Sequence, residues 1–343
     1  MEFNLSGSLF ASDQNFKSFD QDTLYDVIII GGGPAGLTAA VYCMRKGLVT
    51  GLITREVGGQ VAETAGIENY LGYRYINGSE LVDKFREQVT QFGIAFETRG
   101  NVSAMEDGTP KKIILSDGRI FKSKTLLIAS GKQSKRLGVP GEIPLVGHGV
   151  AYCAICDAPF FVNQRVIVVG GGNSGVEAAI DLAKVASHVT LVQRRDHLTA
   201  DKILIDKLAA YTNVDYLFEH IITEIEGDKH VDGVTLMDRR SGETRHMDVD
   251  GVFVQIGLIP NSTFAEGVVD MNSYKEIMID SFCRTSVAGV FAAGDVTNVP
   301  YKQIIIACGE GAKASLAITD YLLNQPIEVD AVNLLTQVTG SGS

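Results

Sequence analysis

The chain has 343 residues, 45% of them hydrophobic and 21% charged, with a formal net charge of −11. That length exceeds one ordinary hydrophobic core and predicts two domains, and the composition excludes a disordered or fibrous chain. The acidic balance opposes a broad phosphate-binding surface, so no nucleic-acid partner is expected. No apolar run approaches the roughly 20 residues of a membrane helix, and residues 1–21 carry neither a basic nor an apolar leader region. A soluble, cytoplasmic protein with no membrane association is predicted. Of its five cysteines, Cys43, Cys283 and Cys308 are isolated, which is not a disulfide framework.

In chain order, the first organised stretch is DVIIIGGGPAGLTAAVYCMRKGLVTGLITRE from Asp26: a β-branched run, a glycine turn, an apolar-periodic helix and a second β-branched run. Gly31, Gly33 and Gly36 spell G-x-G-x-x-G in the setting a dinucleotide requires. The first glycine makes the tight turn, the second admits a pyrophosphate to the backbone, and the third lets helix and strand pack closely. Glu56 ends the unit and is available to a ribose. NGSELVDKFREQVTQFG then reads as a helix capped by Ser79 and stopped at Gly93. KKIILSDGRIF reads as a hairpin about Ser116, Asp117 and Gly118, and TLLIASG as a buried strand.

The strand–turn–helix–strand pattern recurs 139 positions later as RVIVVGGGNSGVEAAIDLAKVASHVTLVQRR, with Gly170, Gly172 and Gly175 in the fingerprint. Here the run ends in Arg194 and Arg195, with no acid. Paired, charge-assisted bonds from two arginines would hold a 2′-phosphate, which favours NADPH over NADH. A solvated basic pair partly neutralised by Asp196 is the plainer alternative. The stretch from Val231 to Gly257 reads as strand, turn and strand in an antiparallel ribbon, and that from Gly289 as a strand, a small-residue turn and a long helix. The C-terminal Gly/Ser run is expected to be flexible.

Between the two units lies AYCAICDAPFFV, with Cys153 and Cys156 three apart and Asp157 directly behind. A structural zinc site needs four ligands, and the chain has neither a second C-x-x-C nor an H-x3–5-H pair, so no metal is expected. A redox dithiol assisted by Asp157 fits the pattern; buried core thiols and a helix-capping aspartate are the alternatives. A nicotinamide carries hydride and a dithiol takes two electrons, so a flavin is the expected intermediary and FAD is assigned to the first fingerprint.

GGGPAG, the loop Gly58 to Gln60, the run Glu68 to Tyr70, CAIC with Asp157, GGGNSG and GVFAAGD occur in that order. From Tyr25 to Leu323 this resembles the bacterial low-molecular-weight thioredoxin reductases. VPYKQIIIACGEGAKAS and VFVQIGLIPN are most similar to the thioredoxin-reductase-like half of the alkyl hydroperoxide reductase flavoprotein. That flavoprotein carries further domains ahead of its FAD domain, whereas 24 residues precede Tyr25 here, so a stand-alone reductase is expected.

The resemblance implies an α/β fold of two Rossmann-like domains, with the NAD(P)H domain inserted into the FAD domain. Residues 25–134 and 259–324 would bind FAD, residues 135–258 would bind NAD(P)H and carry the dithiol, and residues 1–24 and 325–343 would be an extension and a tail. It implies FAD contacts from Gln60, Asn69, Gly294, Asp295 at the ribityl chain, and Gln303 at the start of a helix directed at the isoalloxazine. Cys156 would face the flavin, Cys153 would exchange with the partner disulfide, and Asp157 would handle a proton. The implied protein is a homodimeric thioredoxin-disulfide reductase, passing electrons from NADPH through FAD to a Cys153–Cys156 disulfide and on to a thioredoxin-like protein. The alternatives are an NADH-dependent reductase of a peroxiredoxin-linked carrier, a ferredoxin-fed enzyme and a redox-sensing flavoprotein. Two departures stand out. NADPH-using relatives show His-Arg-Arg with a further arginine downstream, against Gln193, Arg194, Arg195 and Thr199 here, and Ala158 replaces a customary glycine. Because nicotinamide and dithiol cannot share one flavin face, a rotation between the domains is expected.

Overall fold

The computed structural model describes residues 17–64 and 66–325; residues 1–16 and the C-terminal Gly/Ser run lie outside the described residues. A short strand β1 (Lys17–Ser18) precedes β2 (Leu24–Gly32), in which Val27, Ile28, Ile29 and Ile30 are all buried. An unbroken apolar run of this kind suits a parallel strand covered on both faces. Next come α1 (Pro34–Arg45), β3 (Thr50–Val57), α2 (Gly78–Thr90), β4 (Ala95–Glu97), β5 (Val102–Glu106), β6 (Lys111–Leu115) and β7 (Ile120–Ile128). Pro34 opens α1, where its missing N–H leaves no helical bond unmade. The cap of α2 is Asn77, with Ser79 inside the first turn, which corrects the sequence reading. The reason is local: Leu81 N–H bonds Asn77 O at 3.0 Å, and a Cβ on Gly78 would lie 2.0 Å from Val61 O, so the helix starts against the preceding loop. Gly93, with φ +59°, turns the chain just beyond the helix end.

The chain leaves through β8 (Lys132–Ser134) into a second unit of β9 (Val150–Ala151), α3 (Ala154–Asp157), β10 (Arg165–Val169), α4 (Asn173–Ala183), β11 (His188–Gln193), α5 (Lys202–Leu208) and β12 (Val214–Phe218). It continues through β13 (His220–Glu226), β14 (Gly233–Asp238) and β15 (Thr244–Asp248) to β16 (Gly251–Val254), and returns by β17 (Leu258–Pro260) to β18 (Val290–Ala292) and α6 (Ile304–Leu323).

In the first sheet the order is β1-β4-β3-β2-β7-β6-β5, parallel from β1 to β7. One edge of β7 is shared, its first half pairing antiparallel with β6 and its last three residues parallel with β18. The second sheet, β12-β11-β10-β16-β9, is parallel throughout. The expected ribbon forms as β14 with β15 and gains β13 as a third antiparallel strand, whereas the closing VFV run joins the parallel sheet as β16. The protein is thus an α/β molecule of two Rossmann-like units, one inserted into the other, and both crossings pair as the two-stranded ribbon β8–β17. No helix among the described residues is long and apolar enough to cross a membrane.

Helix α6 covers the first sheet and crosses α1 at very short range. A Cβ on Gly311 would lie 2.1 Å from Ala35 O, and Ser315 Oγ donates to Ala39 O at 3.2 Å. Successive turns of α6 are therefore fixed to α1 by backbone contact. Gly311→Ala is expected to destabilise the fold by about 2 kcal/mol, because overpacking against the main chain outweighs the roughly 1 kcal/mol helix-propensity gain. Gly309 lies in the same helix and faces open space, so Gly309→Ala should stabilise by about 0.5–1 kcal/mol. Denaturant midpoints check both signs; equal shifts in one direction would refute the close crossing.

Candidate active site

The two glycine turns have the same construction. In the first, a Cβ on Gly31 would lie 2.2 Å from Ala129 O and one on Gly36 1.9 Å from Gly31 O; in the second, the corresponding distances are 2.2 Å for Gly170 to Gln255 O and 1.8 Å for Gly175 to Gly170 O. Gly31 and Gly170 also hold positive φ, at +115° and +126°. Only glycine allows this approach. Gly33 has nothing within 4 Å and Gly172 only Thr199 Oγ1 at 3.9 Å, so both mouths are open, and neither α1 nor α4 has a side-chain cap on its N–H groups. Such ends attract anions.

The remaining sequence-predicted residues of the first cradle gather from four segments. Glu56 is exposed near the end of β3. Gly58 and Gly59 both have positive φ, and Gly58 N–H bonds Gly32 O at 2.7 Å, which brings the following loop to the glycine turn. On that loop Gln60 donates from Nε2 to Lys132 O, and Asn69 donates from Nδ2 to Gln303 Oε1 at 3.2 Å. Gln303 is the cap residue of α6 and leaves that helix N-terminus without a side-chain cap. Gly294, at φ +75°, places Asp295 beside it.

Burial pushes the Asp295 carboxyl above the usual carboxylate range, against the pull of Lys302 and Lys132, and no hydrogen bond to its side chain occurs among the described residues. A half-buried carboxylate of that kind is suited to accept hydroxyl donors, and the open turn beside it is suited to a pyrophosphate, so these residues fit a flavin dinucleotide. The sequence reading missed the charges behind Asp295. Lys132 pairs with Glu276, Lys302 lies 3.6 Å from the same carboxylate and donates to Thr297 O at 2.6 Å, and Asn272 also bonds Glu276 at 2.6 Å. The one available signal was Lys132, directly after the small-residue end of the TLLIASG strand.

In the second cradle, Gln193 is buried and Arg194 and Arg195 are exposed directly after β11. Asn173 and Asp201 exchange two hydrogen bonds, of 2.9 and 2.8 Å, across the mouth.

Cys153 and Cys156 form a disulfide with Cα atoms 5.3 Å apart. Cys153 caps the short α3, its sulfur accepting from Cys156 N–H at 3.3 Å. A thiolate at Cys153 would therefore be stabilised by the N–H that now meets its sulfur. Burial raises the Asp157 carboxyl to about 6, a backbone hydrogen bond at Cys153 partly opposing this. Four residues beyond Cys156, the Phe160 ring packs edge-on to Tyr75 at 6.4 Å, and a Cβ on Gly66 would lie 2.7 Å from its Cζ. The disulfide segment is thus seated on the loop that carries Gln60 and Asn69. Among the described residues no group of histidine, cysteine or acidic side chains could hold a metal ion.

Two dinucleotide cradles and one disulfide in a single chain define a flavin-dependent oxidoreductase that couples a pyridine nucleotide to a dithiol. Residues 25–311 match the pyridine nucleotide-disulphide oxidoreductase family, and the chain belongs to it. It is 45% identical over 304 residues to the F component of alkyl hydroperoxide reductase from Escherichia coli, covering 87% of this chain and 58% of that protein. It is 43% identical over 317 residues to the F component of the Staphylococcus aureus reductase, covering 92% of this chain and 62% of that protein. The chain therefore spans less than two thirds of the length of these curated relatives. Among solved structures, thioredoxin reductase from Streptococcus pyogenes is 39% identical with a TM-score of 0.84, covering 88% of this chain and 99% of that one. Lactococcus lactis thioredoxin reductase in the FR conformation is 38% identical with a TM-score of 0.61, covering 88% and 100%.

The fold favours the neutral form of Asp157, so that contribution to stability is complete below the ordinary value of 3.8 and is lost as pH rises through about 6. Asp157→Asn removes the penalty of ionisation. The variant is expected to be about 2 kcal/mol more stable than the parent at about pH 7.5, and the gap to fall below about 1 kcal/mol at about pH 4.5. Urea unfolding at the two pH values measures this, and a gap indifferent to pH would contradict the buried-carboxyl account.

Proposed function

We propose that this chain is a disulfide reductase that takes electrons from NADPH and delivers them, through its own dithiol, to a thioredoxin-like protein disulfide. The observation that carries the reading is the seat of the disulfide segment on the Gln60–Asn69 loop, between two nucleotide cradles. Residues 25–134 and 259–324 would hold FAD, with the first glycine turn at its pyrophosphate, Glu56 at a ribose, Asp295 at the ribityl hydroxyls and Gln60, Asn69 and Gln303 about the ring. Residues 135–258 would hold the nicotinamide dinucleotide on Gly170, Gly172 and Gly175, with Arg194 and Arg195 at a 2′-phosphate. FAD, when bound, supplies the conversion between the two-electron hydride chemistry of a nicotinamide and the two-electron chemistry of a disulfide.

The chain's own residues account for the exchange. Cys153 as thiolate attacks one sulfur of the partner disulfide, forming a mixed disulfide and releasing the partner's other sulfur as a thiolate; Cys156 then attacks Cys153, restoring the disulfide and freeing the second partner thiolate. The partner gains two electrons, the dithiol loses two, and two protons pass to the partner thiols. Asp157, with its value near 6, is ionised at neutral pH and close enough to protonation to accept and return a proton.

The dithiol and the nicotinamide must reach the flavin alternately, so the inserted unit turns on the β8–β17 ribbon. The scores of 0.84 and 0.61 against two reductases of nearly equal identity and coverage support this, because a changed domain orientation lowers a whole-chain score without changing either domain. A homodimer in the reducing cytoplasm completes the reading, and the free thiols Cys43, Cys283 and Cys308 are compatible with that compartment. The identity to the alkyl hydroperoxide reductases favours a second acceptor, a thioredoxin-like carrier that serves a peroxiredoxin.

The test is anaerobic titration of the FAD-loaded protein with NADPH and NADH, followed at the flavin absorbance, then addition of an oxidised thioredoxin or of an oxidised thioredoxin-like carrier domain from an alkyl hydroperoxide reductase flavoprotein. Bleaching by NADPH and reoxidation by one of these is expected. Cys156→Ser should cut acceptor turnover at least about 1,000-fold and trap a mixed disulfide at Cys153, seen as an added mass on a non-reducing gel. Turnover surviving either serine substitution would end the dithiol reading.

A further inference from the structure

We propose that Arg239, on the turn between β14 and β15, is a third cation of the 2′-phosphate subsite begun by Arg194 and Arg195, and that it sets the donor as NADPH rather than NADH. This rests on the reading that the second glycine turn takes a pyridine dinucleotide. The main chain places the three residues together. Glu219 N–H bonds Arg195 O at 3.0 Å, and Arg239 N–H bonds Glu219 O at 2.8 Å, so backbone bonds tie the hairpin turn to the end of β11. Glu219, at φ +55°, is the single residue between β12 and β13 that makes this possible. Arg239 Nη1 also donates to Arg194 O at 2.6 Å, using one of the five N–H donors of a guanidinium.

Nearby acids are committed elsewhere. Glu219 pairs with Arg240, Asp196 with His197 at 2.6 Å, and Asp238 accepts the Arg240 N–H at 2.7 Å. Among the described residues, no ion pair engages Arg194, Arg195 or Arg239, and all three are exposed. Like charges held together by backbone bonds raise a local positive potential that a phosphate dianion would neutralise. They stand where the adenosine ribose of a dinucleotide lies, just past the second strand of the fingerprint. Thr199 cannot serve there, because its N–H and hydroxyl both turn back to Gly171 O, at 2.7 and 3.3 Å. The long-range cation replaces a local one, which is why no spacing in the sequence could show it.

The FAD-loaded full chain, parent and Arg239→Ala, would be titrated calorimetrically with adenosine 2′,5′-bisphosphate and with 5′-AMP. The parent is expected to bind the bisphosphate at least about tenfold more tightly than 5′-AMP, and the variant to lose about tenfold in bisphosphate affinity alone, as one charge-assisted bond contributes. Arg239→Lys should recover part of the loss, and the KM for NADPH should rise about tenfold in the alanine variant at near-constant kcat. In the Arg194→Ala background, Arg239→Ala should still cost several-fold in bisphosphate affinity if its guanidinium meets the phosphate and nothing further if it only braces the Arg194 loop; the second result, or a loss shared equally by both ligands, overturns the assignment. Equal affinity of the parent for the two ligands overturns Arg239 while leaving the dinucleotide reading intact. Failure of the parent to bind either one overturns both.

Discussion

The contact on which the rest of the molecule depends is that of two glycines with main-chain oxygens. At Gly36 and Gly175 the space a side chain would fill is already taken by the carbonyls of Gly31 and Gly170. With that space closed, each helix begins directly at the end of its strand, and its first N–H groups point into the turn, not against a bulky neighbour. Moving α1 outward by the width of a methyl group would shift the first phosphate cradle, the helix contact at Gly311 and the loop hung from Gly32 together. The chemistry of the disulfide depends on this architecture, because its segment packs into the core of the second unit and against the loop beside the first cradle.

Charge is arranged around the two cradles in opposite ways. Behind the first, Lys132 and Lys302 pair with Glu276, so their charge offsets the burial of the Asp295 carboxyl only in part. At the second, the arginines are exposed and the acids are turned to other partners. A buried carboxylate suits hydroxyl donors that must be oriented, whereas exposed guanidinium groups suit a dianion that arrives from solvent. Asp157 belongs with the first kind: it is kept in a position where ionisation is costly, and that cost holds its proton affinity near neutrality.

Much of this was legible in the residues. The repeat at 139 positions, the glycine spacing and the dithiol can be read directly, because a strand-to-helix turn with a phosphate at its mouth leaves few alternatives to glycine. Gln60, Asn69 and Gln303 came from resemblance, and the structure joins Asn69 to Gln303 across 234 positions. What could not be read were partnerships set by sheet topology: Lys132 with Glu276, Phe160 with Gly66 and Tyr75, and Arg239 with the Arg194 loop. The cap of α2 was misplaced by two residues because Asn77 and Ser79 are equally good capping residues, and the choice between them is decided by Gly78 pressed on the Val61 carbonyl. Periodicity reports on an element's own face and carries no information about which loop lies across it.

The place where the chain passes between the two units has a consequence for how such a molecule could arise. Asn261 N–H bonds Gly131 O at 2.9 Å, its side chain bonds Ser130 O at 2.9 Å, and Ser130 Oγ returns a bond to Asn261 O at 2.6 Å. Outgoing and incoming chain therefore meet as nearest neighbours, and to the host fold the whole inserted nucleotide unit is equivalent to one tight surface turn. A gene segment spliced into such a turn would leave the host sheet and its helices unstrained. Under the proposed rotation, the same narrow strap would let both covalent links pivot as one, with no pull on the host.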